Sequence, residues 1–279
     1  MTTRQKVAIA KFCSALYTGT RRVAGLGPEL IAKRGGVRWQ LDLREGIDLA
    51  IYLGVYERDT LLLCQKLIGP GSIVLDIGAN VGFYALNLAK SVGPEGRIIA
   101  FEPTSFAFQK QRVSISLNAS LAPRIISEQM LLVASDESAL DTHVYSSWPL
   151  NYGGELHQGH CGRLMETTGA RASTLDSYVT AANLDHIDLI KLDVDGHEMD
   201  VLSGAKKTLL RYKPPIVMEF APHLHAERGH NFDELVRDFS ALGYRFYDEK
   251  TGALLPSEPD EIRKLIKPGA SRNVLLKQH

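Results

Sequence analysis

The stretch VLDIGANVGFY, from Val74 to Tyr84, decides the fold. It opens with branched and long apolar residues around a single acid, Asp76, and passes through a turn bounded by Gly78 and Gly82 into helix-forming residues. A short apolar strand that leads through a glycine turn into a helix is typical of a parallel sheet with a ligand at its edge. The pattern leaves open which ligand the turn serves.

Strands and helices alternate from Gly71 onward. Five buried strands are predicted, in SIVLDIG (72–78), GRIIAFEP (96–103), RIISEQML (124–131), IDLIKLDVDG (187–196) and IVMEF (216–220). Helices are predicted over 57–67, 81–91, 104–118, 197–212 and 231–242. This alternation predicts an α/β fold with a doubly wound parallel sheet. Two late segments, YRFYD (244–248) and NVLLK (273–277), predict an antiparallel edge.

Two regions fall outside the alternation and define the predicted organisation. Residues 1–70 form an N-terminal extension with a strand-like GVRWQLDL, and residues 71–279 form the main domain. Within the extension, Ile9, Phe12 and Leu16 recur at helical spacing, which predicts a helix packed through that face. Residues 137–170 are polar, aromatic and rich in Gly, so we expect an insertion that acts as a lid or a loop.

Composition indicates an ordinary soluble globular protein. Hydrophobic residues make up 44% and charged residues 23%, and the formal net charge is zero. Residues 1–40 are locally basic, with eight Lys or Arg against Glu29 alone, and a solvated helical face explains this most simply. Three cysteines without metal-ligand spacing indicate a reducing compartment. We therefore expect a cytoplasmic protein without a signal peptide or membrane span and without a nucleic-acid partner.

The glycine turn does not match the usual phosphate-binding patterns. The dinucleotide fingerprint fails at Asn80 and Phe83, and the P-loop fails at Phe83. A D-x-G-x-N-x-G pattern remains, with Glu102 at the end of the next strand. Glu102 can accept two hydrogen bonds from a ribose diol, and amides at the helix start can bind a carboxylate. S-adenosylmethionine has both groups, although a simple strand-to-helix turn is the alternative.

Five ordered motifs carry a family resemblance. GVYERD, VLDIGANVGFYALNLAK, GRIIAFEP, STLDSYV and IDLIKLDVDGHEMDVLSGA together resemble the FkbM-like S-adenosylmethionine-dependent methyltransferases, over Gly54 to Phe220. The resemblance implies a seven-stranded, Rossmann-like sheet and O-methylation of a saccharide or natural-product hydroxyl. It implies cofactor contacts at Asp76, Gly78, Asn80, Gly82 and Glu102. We add Glu57, Phe83 and Asp193 as candidate cofactor residues, with a first-turn helix acid as the alternative for Glu57.

The segment KLDVDGHE supplies the candidate catalytic residues Asp193, Asp195 and His197. Methyl transfer to an alcohol needs the acceptor oxygen held in line and its proton removed by a base. His197 has a suitable ordinary pKa, and Asp195 could orient it or act as the base. Alternatively, Asp195 and Glu198 form a helix cap, and His197 is an exposed first-turn residue. D-x-D-G-x-E also resembles a magnesium half-site, where the family often has Glu in place of Asp195 and usually lacks a His at 197.

Candidate substrate residues lie in the insertion and after the fifth strand. They are Trp148, Asn151, Tyr152, Glu219 and His223. Flat rings with hydrogen-bonding tips suit a sugar, although a structural loop would use the same side chains. The histidines 223, 225 and 230 are expected on a surface loop, and their spacing is weak support for zinc.

These observations predict an S-adenosylmethionine-dependent O-methyltransferase acting on a small-molecule or glycan acceptor, with magnesium and a homo-oligomer left open. A non-catalytic module that binds an adenosyl ligand is the first alternative. A nucleotide-dependent oxidoreductase on the same fold is the second, and it would need the glycines that Asn80 and Phe83 replace.

Overall fold

The computed structural model describes residues 3–146, 149–150, 156–157 and 162–278. The strands are β1 (Glu29–Arg34), β2 (Val37–Asp42), β3 (Ile73–Ile77), β4 (Arg97–Phe101), β5 (Ile125–Glu128), β6 (Met130–Leu132), β7 (His143–Ser146), β8 (Arg163–Glu166), β9 (Arg171–Ser173), β10 (Leu189–Leu192), β11 (Ile216–Phe220), β12 (Tyr244–Asp248) and β13 (Arg272–Gln278). The α-helices are α1 (Thr3–Val23), α2 (Gly46–Leu53), α3 (Arg58–Leu67), α4 (Phe83–Leu88), α5 (Ser105–Ser116), α6 (Leu175–Ala181), α7 (Glu198–Ser203), α8 (Lys206–Tyr212), α9 (Pro222–Glu227), α10 (Phe232–Ala241) and α11 (Pro259–Lys264).

The main sheet has seven strands in the order β12-β13-β11-β10-β3-β4-β5. All neighbours from β11 to β5 pair in parallel, and β13 pairs antiparallel with both β11 and β12. The predicted doubly wound α/β sheet and its antiparallel edge are therefore confirmed. The chain winds outward in opposite directions from β3 and β10, so the switch point, where such sheets bind ligands, lies between these two strands.

The central strand β3 explains why the sheet has a core on both faces. All five of its residues are buried. Leu75 and Ile77 belong to one apolar cluster with Val201 and Phe232, whereas Val74 belongs to the other with helix α4. Successive side chains of a strand point to opposite faces, so an uninterrupted apolar run requires helices on both sides.

The extension packs onto the second of these cores. The alternate residues Val37, Trp39 and Leu41 of β2 are buried in the same cluster as Val74. Strand β2 confirms the strand-like segment of the sequence, and β1 pairs with it in an antiparallel hairpin.

Two predicted elements are divided in the structure. The helix predicted over 197–212 is two helices, α7 and α8, and α7 ends at Gly204, where a Cβ would approach the Val133 carbonyl to 2.2 Å. The Asp176 carboxylate then accepts the amides of Lys207 and Thr208 and starts α8. The strand predicted over 124–131 continues only to Glu128 in the main sheet, and β6 pairs instead with β9.

The prediction for the face of α1 was wrong. Ile9, Phe12 and Leu16 are exposed. The helix packs through the neighbouring face of small residues, where the Ser14 hydroxyl is buried and donates to the Leu43 carbonyl at 2.7 Å. Ala10 packs beside it against the cluster of Leu43, Leu49 and Leu150. Within the described residues, no helix is both long and apolar enough to cross a membrane.

We expect Gly78→Ala to lower the free energy of unfolding by about 3 kcal/mol. Gly78 has a φ of +82°, and a Cβ there would lie 1.8 Å from the carbonyl oxygen of Asp193. Gly252→Ala is the matched control, since its φ is +68° with no atom within 4 Å of a Cβ. It should lose only about 1 kcal/mol from the positive φ. Equal losses in urea unfolding would contradict the close approach of β3 and β10.

Candidate active site

A cleft lies at the carboxyl ends of β3, β4 and β10. Residues of the glycine turn line it, and so do residues of β7, which belongs to the insertion. The residues lining it are Ile77, Gly78, Asn80, Phe101, Glu102, Pro103, Thr104, Met130, Leu131, Leu132, Val144, Tyr145, Ser146, Asp193, Val194, Asp195, His197 and Val201. Six of the predicted site residues are thus brought together: Gly78, Asn80, Glu102, Asp193, Asp195 and His197.

Glu102 links the second strand to the glycine turn. Its carboxylate accepts the amide of Asn80 at 2.9 Å and both the amide and the hydroxyl of Thr104. Burial raises the pKa of Glu102, and these hydrogen bonds oppose that shift. Asn80 has a φ of +48°, and its side-chain amide donates to Ser146 of the insertion at 3.2 Å. The turn therefore holds a carboxylate in the cleft and also anchors the strand that covers it.

Asp76 lies beneath the turn and does not line the cleft. One carboxylate oxygen accepts the Ala85 amide at 3.1 Å, and the other has no hydrogen-bond partner among the described residues. Burial raises the pKa of Asp76 to about 7, although Lys191 on the neighbouring strand opposes the shift. In the structure Asp76 therefore orders the turn and the start of α4.

Phe83 and Glu57 lie apart from the cleft lining. Phe83 is in an aromatic cluster, stacked on Trp39 and edge-on to Tyr56. Glu57 accepts a hydrogen bond from the hydroxyl of Tyr84 at 2.6 Å, and it makes no side-chain cap to α3. Burial raises the pKa of Glu57. The hydrogen bond from Tyr84 positions this acid, which does not cap the helix.

The loop after β10 projects Asp193 and Asp195. Asp193 pairs with the buried Lys191 ammonium at 2.8 Å. Asp195 has a φ of +49°, and no described residue donates a hydrogen bond to its carboxylate. Burial raises the pKa of Asp195 well above its usual range, with further contributions from Asp193 and Glu198. His197 lines the cleft and is almost fully buried, and its Nδ1 lies 3.4 Å from a carboxylate oxygen of Asp200. It is therefore not an exposed first-turn residue.

The alternative in which Asp195 caps α7 was wrong, because Glu198 turns back and supports the loop instead. The Glu198 carboxylate lies 3.3 Å from the amide of Val194 and 3.4 Å from that of Gly196. Its second oxygen lies 3.4 Å from His225, a fully buried residue of α9. His225 was expected on a surface loop, but Pro222 starts a short helix there and turns the imidazole inward.

A second, larger cavity of about 760 Å³ lies beside the cleft. It is lined by Ile9, Ala10, Cys13, Gly46, Leu49, Ala50, Leu53, Val55, Tyr56, Glu57, Leu150, Asp195, Glu219, His223, Leu224, Asp248, Glu249, Lys250, Gly269, Ser271, Arg272 and Asn273. Glu219 and His223, two of the candidate substrate residues, thus line one cavity. In the part of the chain that the structure describes, Asp195 is the residue that lines both spaces.

Three carboxylates meet where the two spaces join. Oxygens of Asp193, Asp195 and Glu219 all lie within 4.8 Å of one another, a spacing that could hold a metal ion. The magnesium half-site read from D-x-D-G-x-E differs, because Glu198 faces backbone amides and Glu219 takes its place. Burial raises the pKa of Glu219, and the neighbouring Asp193 raises it further.

Three predicted substrate residues, Trp148, Asn151 and Tyr152, lie outside the described residues.

Sequence reasoning missed the apolar wall of the cleft, formed by Met130, Leu131 and Leu132 of β6. The apolar run in RIISEQML was its only signal. The cleft has a volume of about 60 Å³, below the roughly 300 Å³ of small ligand pockets.

Comparisons with known proteins identify the class to which this site belongs. The family model described as the methyltransferase FkbM domain matches residues 76–246, which is more than half of the chain. The chain belongs to the FkbM methyltransferase family.

Individual relatives are more distant. AMB antimetabolite synthetase AmbE of Pseudomonas aeruginosa is 28% identical over 198 residues, covering 59% of this chain and 9% of that protein. The 2-O-methyltransferase NoeI of Sinorhizobium fredii is 26% identical over 166 residues, covering 55% of this chain and 64% of that protein. The chain therefore spans less than two thirds of either relative. The crystal structure of methyltransferase FkbM from Methylobacillus flagellatus aligns with a TM-score of 0.44 at 16% identity, covering 75% of this chain and 44% of that one.

We expect Glu198→Gln to become more stable relative to the unmodified protein as the pH rises. Burial raises the pKa of Glu198 from 4.5 to about 7. The folded protein binds the Glu198 proton more tightly than the unfolded chain does. The resulting stabilisation of the folded state is present below the unfolded pKa of Glu198 and is lost as the pH rises through about 7. Glutamine does not titrate. Urea unfolding should show that the free energy of unfolding of Glu198→Gln, relative to that of the unmodified protein, increases by about 3 kcal/mol between about pH 5 and about pH 8. A difference that stays constant with pH would contradict the buried acid.

Proposed function

We propose that this chain is an S-adenosylmethionine-dependent O-methyltransferase, which transfers a methyl group to a hydroxyl of a saccharide or a secondary metabolite. The observation that carries the proposal is the position of Asp195, which lines both the cleft and the large cavity. A transferase needs its donor and acceptor to meet at one point beside a group that can take a proton.

The groups of the cleft fit an adenosyl cofactor. Glu102 presents a carboxylate suited to a ribose diol, and Phe101, Met130 and Val144 provide apolar surface suited to a flat base. Asp193 and Asp195 supply negative charge where a positively charged sulfur or amino group would lie. When bound, S-adenosylmethionine supplies a methyl group on a positively charged sulfur.

Asp195 is the proposed base. Its carboxylate would take the proton of the acceptor hydroxyl, and bound S-adenosylmethionine would supply the methyl group to the acceptor oxygen as its own carbon–sulfur bond breaks and S-adenosylhomocysteine is left. A carboxylate with a raised pKa is a stronger base than an ordinary aspartate. His197 lies on the same loop and lines the cleft, where its imidazole can help to position the bound cofactor. The loop amides held by Glu198 fix Asp195 between the two spaces.

The large cavity suggests the kind of acceptor. Acids and the polar groups of Ser271 and Asn273 lie with apolar residues such as Leu49 and Leu224. Carboxylates can accept hydrogen bonds from several hydroxyls, and apolar surface can pack on a ring or a chain. The relative NoeI is named a 2-O-methyltransferase, which also supports a hydroxyl acceptor.

The direct test is to incubate the purified protein with S-adenosylmethionine and a panel of saccharides and hydroxylated metabolites. S-adenosylhomocysteine and a methylated acceptor should form together, as measured by mass spectrometry. Methylation only at nitrogen or carbon would contradict the O-methyl assignment. Cofactor binding without turnover of any acceptor would favour the non-catalytic module.

Glu102→Gln should weaken S-adenosylhomocysteine binding by about tenfold to a hundredfold, because a charged acceptor for the ribose is lost. Glu128→Gln is the matched control, since Glu128 ends the neighbouring strand β5 and does not line the cleft. Isothermal titration calorimetry should show unchanged binding in this control and no binding of NAD. Equal affinity of Glu102→Gln and the unmodified protein would contradict the role of Glu102.

Asp195→Asn should lower kcat by about a hundredfold to ten-thousandfold, because the amide cannot take the proton. Cofactor affinity should change much less. Since the pKa of Asp195 is raised, kcat of the unmodified enzyme should fall with decreasing pH well above the range of an ordinary aspartate. Asp260→Asn, at an exposed position of α11, is the control. An unchanged kcat in Asp195→Asn would show that another group takes the proton.

A further inference from the structure

Helix α1 carries an apolar stripe that no described part of the chain covers. Ile9, Phe12, Leu16 and Val23 are 53%, 72%, 57% and 91% exposed. They recur at spacings of three, four and seven residues, which places them on one face along most of the helix. The adjoining face of α1, with Ala10, Cys13 and Tyr17, makes the contacts to the rest of the protein.

The stripe continues onto the neighbouring surface. Leu53 and Val55, at the end of α2, are also exposed, and both line the large cavity together with Ile9. Leu26, just beyond α1, is exposed as well. A continuous apolar strip of this length marks a surface that contacts another body.

The charge of α1 identifies that body. The helix has five basic residues and no acid: Arg4, Lys6, Lys11, Arg21 and Arg22. Pairing with a second copy through this stripe would bring together two helices that each have five basic residues and no acid, and such repulsion disfavours association. A membrane surface that contains anionic lipids supplies the opposite charge and a layer for the apolar side chains.

We propose that α1 binds to the surface of an anionic membrane, with its apolar stripe inserted among the lipids and its basic residues at the headgroups. The helix lies in the plane of the interface and does not span the bilayer. The exposed rim of the large cavity, at Leu53 and Val55, then faces the lipid. The proposal depends only on α1 and is independent of the proposed methyl transfer.

The test is flotation of the full chain with vesicles of phosphatidylcholine alone and of equal amounts of phosphatidylcholine and phosphatidylglycerol. The protein should float with the phosphatidylglycerol vesicles, and added salt should weaken this binding. The double variant Phe12→Glu/Leu16→Glu should lower the partition coefficient by about tenfold or more.

The matched control is Leu210→Glu/Leu254→Glu, which changes two leucines of similar exposure, 57% and 58%, elsewhere on the surface. It should bind vesicles like the unmodified protein, and both variants should keep the same unfolding midpoint and the same affinity for S-adenosylhomocysteine. Failure to bind phosphatidylglycerol vesicles, or equal losses in both variants, would overturn the proposal. Light scattering that shows a dimer, which Phe12→Glu/Leu16→Glu converts to a monomer, would instead assign the stripe to a second copy.

Discussion

The site depends on the contact between Gly78 and the carbonyl of Asp193. Because no side chain fits at Gly78, the ends of β3 and β10 can approach closely at the switch point of the sheet. The same approach brings Asp193 and Asp195 beside the glycine turn, which in turn holds Glu102 through the amide of Asn80. A residue without a Cβ therefore decides where Glu102 and the acids of the loop after β10 come to line one cleft.

These acids share an electrostatic environment that folding alone would not favour. Burial raises the pKa of Glu57, Asp76, Glu102, Asp195, Glu198 and Glu219. Burial lowers the pKa of Lys191, but the acids Asp193, Glu57 and Asp76 outweigh this and raise it, so the ammonium stays charged among them. Concentrated acids with raised pKa values are destabilising, and their presence at one sheet edge indicates a site that is kept for binding or chemistry.

The sequence predicted those parts of the fold that depend on local patterns. The buried strands, the glycine turn and Glu102 at the next strand end follow from apolar runs and spacing. Contacts between distant segments decided the rest. The break after α7 falls at Gly204, which packs against the Val133 carbonyl, and the buried His225 of α9 lies beside the Glu198 carboxylate of α7. The lining of the large cavity draws on both ends of the chain, and no local pattern indicates such a combination.

The cleft and the large cavity are lined by almost entirely different residues, and this affects how the protein can diverge or be redesigned. Within the described residues the two linings share Asp195, so side chains such as Ser271 and Leu53 can change without altering the groups around Glu102. Under the proposed function, new acceptor preferences can arise by substitution on α1, α2 and the last strand while the turn after β3 is inherited unchanged. Libraries directed at the exposed lining residues of those three elements would vary the shape of the cavity while leaving buried residues such as Leu49 in place.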